Sequence, residues 1–164
     1  MRKRLTISES PSVSGQPWLN LETAATLELT SEDERHPIEA ALSSRGGQGW
    51  RAGGPGPQTI RLVFDQPQRL SRINLVFTEA ATSRTQEFVL RWRSDADQGF
   101  REIVRQQWNF SPPQTAREIE DYQVDLAKVK VLEFGNRPRH CRWKHARVAR
   151  KLAVGLVPAA AKSA

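Results

Sequence analysis

The chain has 164 residues, with 25 Lys and Arg against 18 Asp and Glu and a formal net charge of +7. Eight of the basic residues and no acidic residue lie in 135–164, so residues 1–134 carry a net charge of −1 and do not support a nucleic-acid binder. The single cysteine, Cys141, excludes an internal disulfide, and no apolar run approaches the roughly 20 residues of a membrane span.

The first third of the chain is dominated by turn-forming residues. Residues 1–20 are rich in Ser, Pro and Gly and predict a flexible leader. No apolar segment follows the basic start, so we expect no secretory signal and a soluble, cytoplasmic protein of bacterial type. Residues 21–29 fit a strand or a short helix, and Gly and Pro clusters on both sides of Trp50 predict loops.

The rest of the body alternates with a period of two residues, which is typical of half-buried strands. Residues 59–64, 70–77 and 88–93 each place their large apolar side chains on one face, with a turn predicted at Pro67-Gln68. Less regular segments follow at 100–108, 119–126 and 129–134. Several short runs without long amphipathic helices between them predict an antiparallel β-sandwich.

Four segments in this order resemble the galactose-binding-like jelly roll of the discoidin, or F5/8 type C, family. They are 39–52, which ends in a loop with a Trp, the strands 57–64 and 70–77, the segment 88–99, and 100–104. The resemblance covers about residues 37–134. It implies an all-β jelly-roll sandwich whose loops at one end bind sugars, lipid head groups or protein surfaces, without catalysis.

The same resemblance bears on metal binding. Family members often hold a structural calcium ion in the first loop, with a carboxylate among the ligands. Here that loop, residues 43–49, contains Arg45 and no acid. Hard cations need oxygen ligands, usually with carboxylates among them, so we expect neither a calcium site nor any other cofactor.

The tail lacks the strand that the family places after Phe134. Many codons could encode residues 135–154. When these possible codons are read one nucleotide later, they can encode a turn rich in Asp, Pro and Gly followed by an alternating strand. We therefore hypothesise a frameshift near codon 135. The predicted organisation is a leader at 1–20, a sandwich domain at 21–134 and a basic, non-native or disordered tail at 135–164. The alternative is a genuine basic arm that contacts nucleic acid or acidic partners.

No residue pattern predicts catalysis. Two of the three histidines, His140 and His145, lie in the tail beside Cys141, and their spacing does not match a zinc site. His36 precedes a proline and fits a loop residue. No nucleophile or phosphate-binding motif is present in the sequence. We expect no catalytic and no metal-binding residues.

Ligand binding is predicted at five residues near loops. Trp50, in a Gly-rich loop, offers a flat face for a sugar ring, with Arg51 beside it to bond hydroxyls; the alternative is that Trp50 plugs the end of the barrel. Trp108 and Asn109 end a strand before a Ser-Pro-Pro turn, and an Asn amide can donate and accept at once. Arg84 is a polar candidate in the loop before the third strand.

These observations predict a non-catalytic module that binds a carbohydrate, a glycan-bearing partner or another small ligand. The first alternative is a protein-interaction or scaffold module of the same fold that binds no sugar. The second is nucleic-acid contact through the basic tail. No membrane partner is expected.

Overall fold

The computed structural model describes residues 18–42, 49–79, 83–114, 117–138 and 153–158. Two short helical turns, α1 (Leu21–Ala24) and α2 (Glu39–Leu42), precede most of the sheet. The strands are β1 (Ala25–Leu29), β2 (Gln58–Thr78), β3 (Arg84–Arg93), β4 (Arg101–Phe110), β5 (Arg117–Pro138) and β6 (Ala153–Pro158).

All strand pairs are antiparallel, and two long strands join two layers. The register between β2 and β5 shifts between Val63 and Arg72, so each strand bends there and continues into a second layer. The first sheet has the order β1, β2, β5, β3, β4, and the second sheet consists of β6, β2 and β5. The predicted turn at Pro67-Gln68 is therefore wrong, because Gln68 remains paired with Val129 and the strand bends without ending.

The core lies between the two sheets and follows the predicted alternation. Ile60, Leu62 and Phe64 are buried on the inner face of β2 in the first sheet. Farther along β2, Phe77 packs against Phe88, Trp108 and Phe134 of the first sheet, with ring centroids 5.7, 4.1 and 5.5 Å apart. Large apolar side chains at every second position thus hold the layers together. The predicted all-β, antiparallel jelly-roll sandwich is confirmed.

The segment 21–29 forms both of the structures that its sequence allowed. Asn20 caps α1, with its side-chain oxygen accepting a hydrogen bond from the Glu22 N–H at 3.2 Å, and the chain then extends into β1. Most of the predicted leader, residues 1–17, lies outside the described residues. In the part of the chain that the structure describes, no helix is long and apolar enough to span a membrane.

The expectation that no strand follows Phe134 is wrong. β5 continues to Pro138, paired with β3, because the Gln86–Phe88 segment extends far enough to receive it. Residues 153–158 then form β6, which pairs with Leu70–Val76 and gives the second sheet its outer strand. The frameshift remains a hypothesis, and most of the tail, residues 139–152 and 159–164, lies outside the described residues.

Candidate ligand-binding site

Four of the five predicted binding residues lie at one end of the first sheet, called here the loop end, with Arg51 near the β1 edge and the other three at the β3–β4 edge. It is the end where β1 and β4 finish and β2 and β3 begin, since Leu29 pairs with Ile60 and Arg84 pairs with Phe110. Arg84, Trp108 and Asn109 lie there directly on strands. Arg51 is held there by the segment that follows β1. Its backbone N–H donates to the carbonyl of His36, and its carbonyl accepts from the N–H of Asp33.

Trp50 cannot be an exposed platform for a sugar ring. Its side chain is 1% exposed and belongs to the hydrophobic core with Leu21 and Ile38. The residue fills space under the loop, which is the alternative that the sequence left open. A loop sequence carries no periodicity, so this burial could not be derived from the residues around Trp50.

Arg51 lies in a small charged cluster on the surface. Its guanidinium is 3.7 Å from the Asp33 carboxylate, and the imidazole of His36 approaches the same carboxylate at 3.6 Å. The backbone N–H of Arg35 donates to Asp33 and lowers its pKa, and the charges of His36 and Arg51 add to that effect. Arg51 therefore orders this loop, and its predicted contact with a ligand stays a prediction.

Trp108 is also buried, which corrects its predicted role as a stacking surface. It is 4% exposed and stacks on Phe88 with centroids 4.2 Å apart. Its indole Nε1 donates to a Glu120 oxygen at 3.0 Å. Because the ring faces inward and the N–H has a partner, Trp108 offers a ligand neither a flat face nor a free donor.

Glu120, the partner of Trp108, lies between the sheets opposite Leu75. It also accepts from Gln106 Nε2 at 2.9 Å, while the Tyr122 hydroxyl donates to Gln106 Oε1 at 3.1 Å. Burial raises the pKa of Tyr122, and the nearby Glu120 charge raises it further. This network joins the β4 and β5 edges and leaves Ile119, next along β5, pointing outward.

Arg84 is not a loop contact but part of a buried ion pair. Its Nε lies 2.9 Å from a Glu79 oxygen, and its Nη2 donates to Gln86 Oε1 at 3.2 Å. The inner face of the sandwich is thus polar at the loop end, with Gln58 and Asn136 buried beside these three residues. Carrying the inward alternation of Phe88 and Leu90 back along β3 would have predicted the inward direction of Gln86 and Arg84.

Asn109 is the predicted residue that a ligand can reach. It is exposed at the end of β4, opposite Thr85 on β3, and the Thr85 hydroxyl donates to Asn109 Oδ1 at 2.7 Å. This bond fixes the amide plane on two rigid strands and leaves the Nδ2 group directed away from that contact. Asn109 can therefore donate to a hydroxyl of a bound sugar.

The cavity that the described residues enclose between the sheets is too small for a sugar. An apolar cavity of about 20 Å³ lies between the sheets, lined by residues such as Ile38, Leu62 and Phe134, and holds at most about one water. Among the described residues, no three His, Cys, Asp or Glu side chains form a group that could hold a metal ion. Most of the loop that the calcium argument concerns, residues 43–48, lies outside the described residues.

No family model and no curated protein sequence matches this chain. Among solved structures, it is similar to a chain in the crystal structure of reduced XRCC1 bound to the DNA pol beta catalytic domain. The identity is 14% and the TM-score 0.58, over 86% of this chain and 99% of that chain.

Two bacterial sugar-related domains have the same architecture. The C-terminal domain of a chitobiase from Bacteroides fragilis matches at 12% identity and a TM-score of 0.53, over 87% of this chain and 98% of that chain. The module CpGH89CBM32-5 from Clostridium perfringens, solved in complex with GalNAc-β-1,3-galactose, matches at 12% identity and a TM-score of 0.53, over 87% and 99%. At these identities, the likeness supports the fold.

Proposed function

We propose that this chain is a non-catalytic carbohydrate-binding module that takes its sugar at the loop end. The observation that carries the proposal is the exposed Asn109 amide, fixed by Thr85 on two neighbouring strands of a sandwich whose structural neighbours include carbohydrate-binding modules. A rigid amide is suited to hydroxyl recognition, because it does not lose side-chain entropy when a sugar binds.

The inner face of the sandwich is also polar at the loop end. There, Arg84 donates to Gln86 and forms a buried ion pair with Glu79, so the exposed Asn109 and the half-buried Thr85 lie above a buried polar layer. This layer supports preorganisation of the surface above it.

The test is a glycan array followed by titration calorimetry with the best sugar. Asn109→Ala should weaken binding about 3- to 10-fold, the usual range for one lost hydrogen bond. Gln107→Ala is the matched control, because Gln107 is an exposed amide on β4 two residues away. An array without any bound glycan would show that the function is wrong, and equal binding by both variants would show that the site lies elsewhere.

A protein-interaction module is the second candidate. It is favoured by the likeness to a chain solved in a complex of two proteins and by Ile119, an apolar side chain that is 56% exposed on β5. If this candidate is right, no glycan on the array binds. The protein instead forms a stoichiometric complex with a protein partner, detected by light scattering, and Ile119→Asp abolishes that complex. Contact with nucleic acid through the basic tail remains a prediction, tested by loss of binding when Arg142, Lys144, Arg147 and Arg150 are replaced by Gln, which keeps β6 in the chain.

A further inference from the structure

The outer face of the first sheet carries a row of alternating charges that crosses all five of its strands. Glu28 on β1 pairs with Arg61 on β2, and Arg61 pairs with Glu133 on β5. Glu133 also pairs with Arg91 on β3, which lies opposite Glu102 on β4. Directly opposed residues of opposite charge stabilise an antiparallel sheet.

The charged side chains in the middle of this row differ in how deeply they are buried. Glu133 is 1% exposed and accepts hydrogen bonds from Arg61 Nε at 2.7 Å and from Arg91 Nη2. The two arginine side chains are 43% and 39% exposed. The carboxylate therefore lies beneath, and both guanidinium groups face the solvent in fixed orientations.

A single aromatic ring brings a third arginine to the same place. The guanidinium carbons of Arg61, Arg91 and Arg93 lie 5.8, 5.5 and 5.7 Å from the centroid of Phe100. Guanidinium groups are attracted to the face of an aromatic ring and keep their in-plane N–H donors free. Phe100 thus holds three cations in one small area, called here the arginine patch.

The arginine patch has more positive charge than its partners neutralise. Within the described residues, its arginines form ion pairs with two carboxylates, Glu133 and, 3.6 Å from Arg61, Glu28, which leaves an excess charge of +1. Glu102, opposite Arg91, forms its ion pair with Arg105 instead. No described carboxylate forms an ion pair with Arg93, which contacts the ring of Phe100. The body of the chain is nearly neutral, and this part of its surface is nonetheless cationic.

The arginine patch lies about 20 Å from Asn109 along the first sheet, because six residues of β3 separate Thr85 from Arg91. We infer that the patch is a second glycan subsite that binds the carboxylate group of an acidic sugar, so that the module selects glycans containing a uronic acid. The glycan part of this inference rests on the proposed function. The carboxylate part rests on the patch itself, because a guanidinium presents two parallel donors that match the two oxygens of a carboxylate. Three cations around one ring suit a single acidic group better than the extended track of a polynucleotide, with about one charge per 3.4 Å of each strand.

The test compares trigalacturonic acid with its methyl ester, which has the same rings and no negative charge. The wild-type protein should bind the acid at least tenfold more tightly, and the difference should shrink in high salt. Arg93→Gln should remove most of this preference and leave binding of the ester unchanged. Arg101→Gln, which removes an exposed arginine that lies over Trp92, is the charge-matched control and should keep the preference.

Each other outcome is decisive. Equal binding of acid and ester would overturn the inference and leave the proposed function intact. Absence of binding to any glycan would overturn both. Tighter binding of a 20-base-pair DNA duplex or a hexaglutamate peptide than of the acid, lost in Arg93→Gln, would reassign the patch to that partner. Circular dichroism melts of both variants establish that they are folded.

Discussion

The outer faces of the two sheets carry the same kinds of charged residue at different depths. On the second sheet, Arg69 pairs with Asp125 at 2.8 Å and Arg72 pairs with Asp121, and all four side chains are about one-third exposed or more. On the first sheet, the central carboxylate of Glu133 is buried beneath its arginines. On the second sheet each carboxylate is at least as exposed as its arginine, so both charges face the solvent, whereas the buried Glu133 leaves the cations as the accessible layer.

The two sheets also differ in how they depend on the tail. All strands of the first sheet lie within residues 25–138, and the second sheet takes its outer strand from residues 153–158. An edge strand satisfies the backbone groups of the strand beside it and shields the apolar side chains below it. The tail should therefore matter to the second sheet far more than to the first.

Deletion of residues 139–164 should have the largest effect on stability. Without β6, the Leu70–Val76 segment loses one of its two partner strands, and with about 1 kcal/mol for each hydrogen bond the expected loss is roughly 3–6 kcal/mol. That is a large part of the usual 5–15 kcal/mol of a domain. Urea unfolding measures the change. A control with Arg142, Lys144, Arg147 and Arg150 replaced by Gln should keep the wild-type midpoint.

The same measurement bears on the reading frame. If the truncated protein unfolds at the wild-type midpoint with the same m-value, β6 contributes nothing and the tail is dispensable, as a frameshifted segment would be. A clear fall shows that this tail, whatever its origin in the gene, completes the sheet.

Glu133→Ala should have the next largest effect. It leaves Arg61 and Arg91 without their shared partner, and we expect a loss of about 2–3 kcal/mol, below the 3–5 kcal/mol of a fully buried pair because both arginines are partly solvated. Glu28→Ala removes the exposed partner of Arg61 and serves as the control, with an expected loss below about 1 kcal/mol. Similar losses of stability for Glu133→Ala and Glu28→Ala would show that the buried carboxylate stabilises the sheet no more than the exposed one does.

Asp125→Ala on the second sheet should change stability by only about 0–1 kcal/mol. Its side chain is 69% exposed, so water solvates both Asp125 and Arg69 once the pair is broken. Thermal melts beside those of Glu133→Ala give the direct comparison of the two outer faces. A loss as large as that of Glu133→Ala would mean that depth of burial does not set the strength of these pairs.

The smallest effect on stability is expected for Asp121→Asn, and it should depend on pH in the acid range. The hydrogen bond from Arg72 lowers the pKa of Asp121 in the folded protein. A depressed carboxyl pKa adds stability that is complete above the unfolded value, about 3.9, and is lost as the pH falls through the folded value. The difference in urea midpoint between wild type and Asp121→Asn should stay constant from pH 7 to about 5 and close below about 4. Closure between pH 5 and 7 would contradict this assignment.

Local alternation was enough to predict the strands and their inner faces. Ile60, Leu62 and Phe64 are buried as expected. The less regular first part of β5 could not be oriented in this way, because apolar Ile119 faces out and Glu120 faces in. There, the partner side chains Trp108 and Gln106 decide the direction, and they come from another strand.

The proposed binding residues were harder to predict for the same reason. The arginine patch unites residues 61, 91, 93 and 100 with 133, and only the register between strands brings them together. Asn109 could be predicted because its strand ends beside it. Trp50 and Trp108 could not be placed correctly, because a sequence shows that a loop or strand end carries a large ring without showing which way the ring turns.

The burial of Trp50 and Trp108 also decides what an optical experiment on this protein can report. Indoles enclosed among Leu21, Ile38, Phe77 and Phe88 should emit at short wavelength and resist acrylamide quenching. Trp18, 45% exposed and stacked on Arg72, should behave as a solvent-exposed fluorophore. Intrinsic emission will therefore follow unfolding closely and respond weakly to a sugar at Asn109, so ligand titrations need calorimetry or a probe attached near β4.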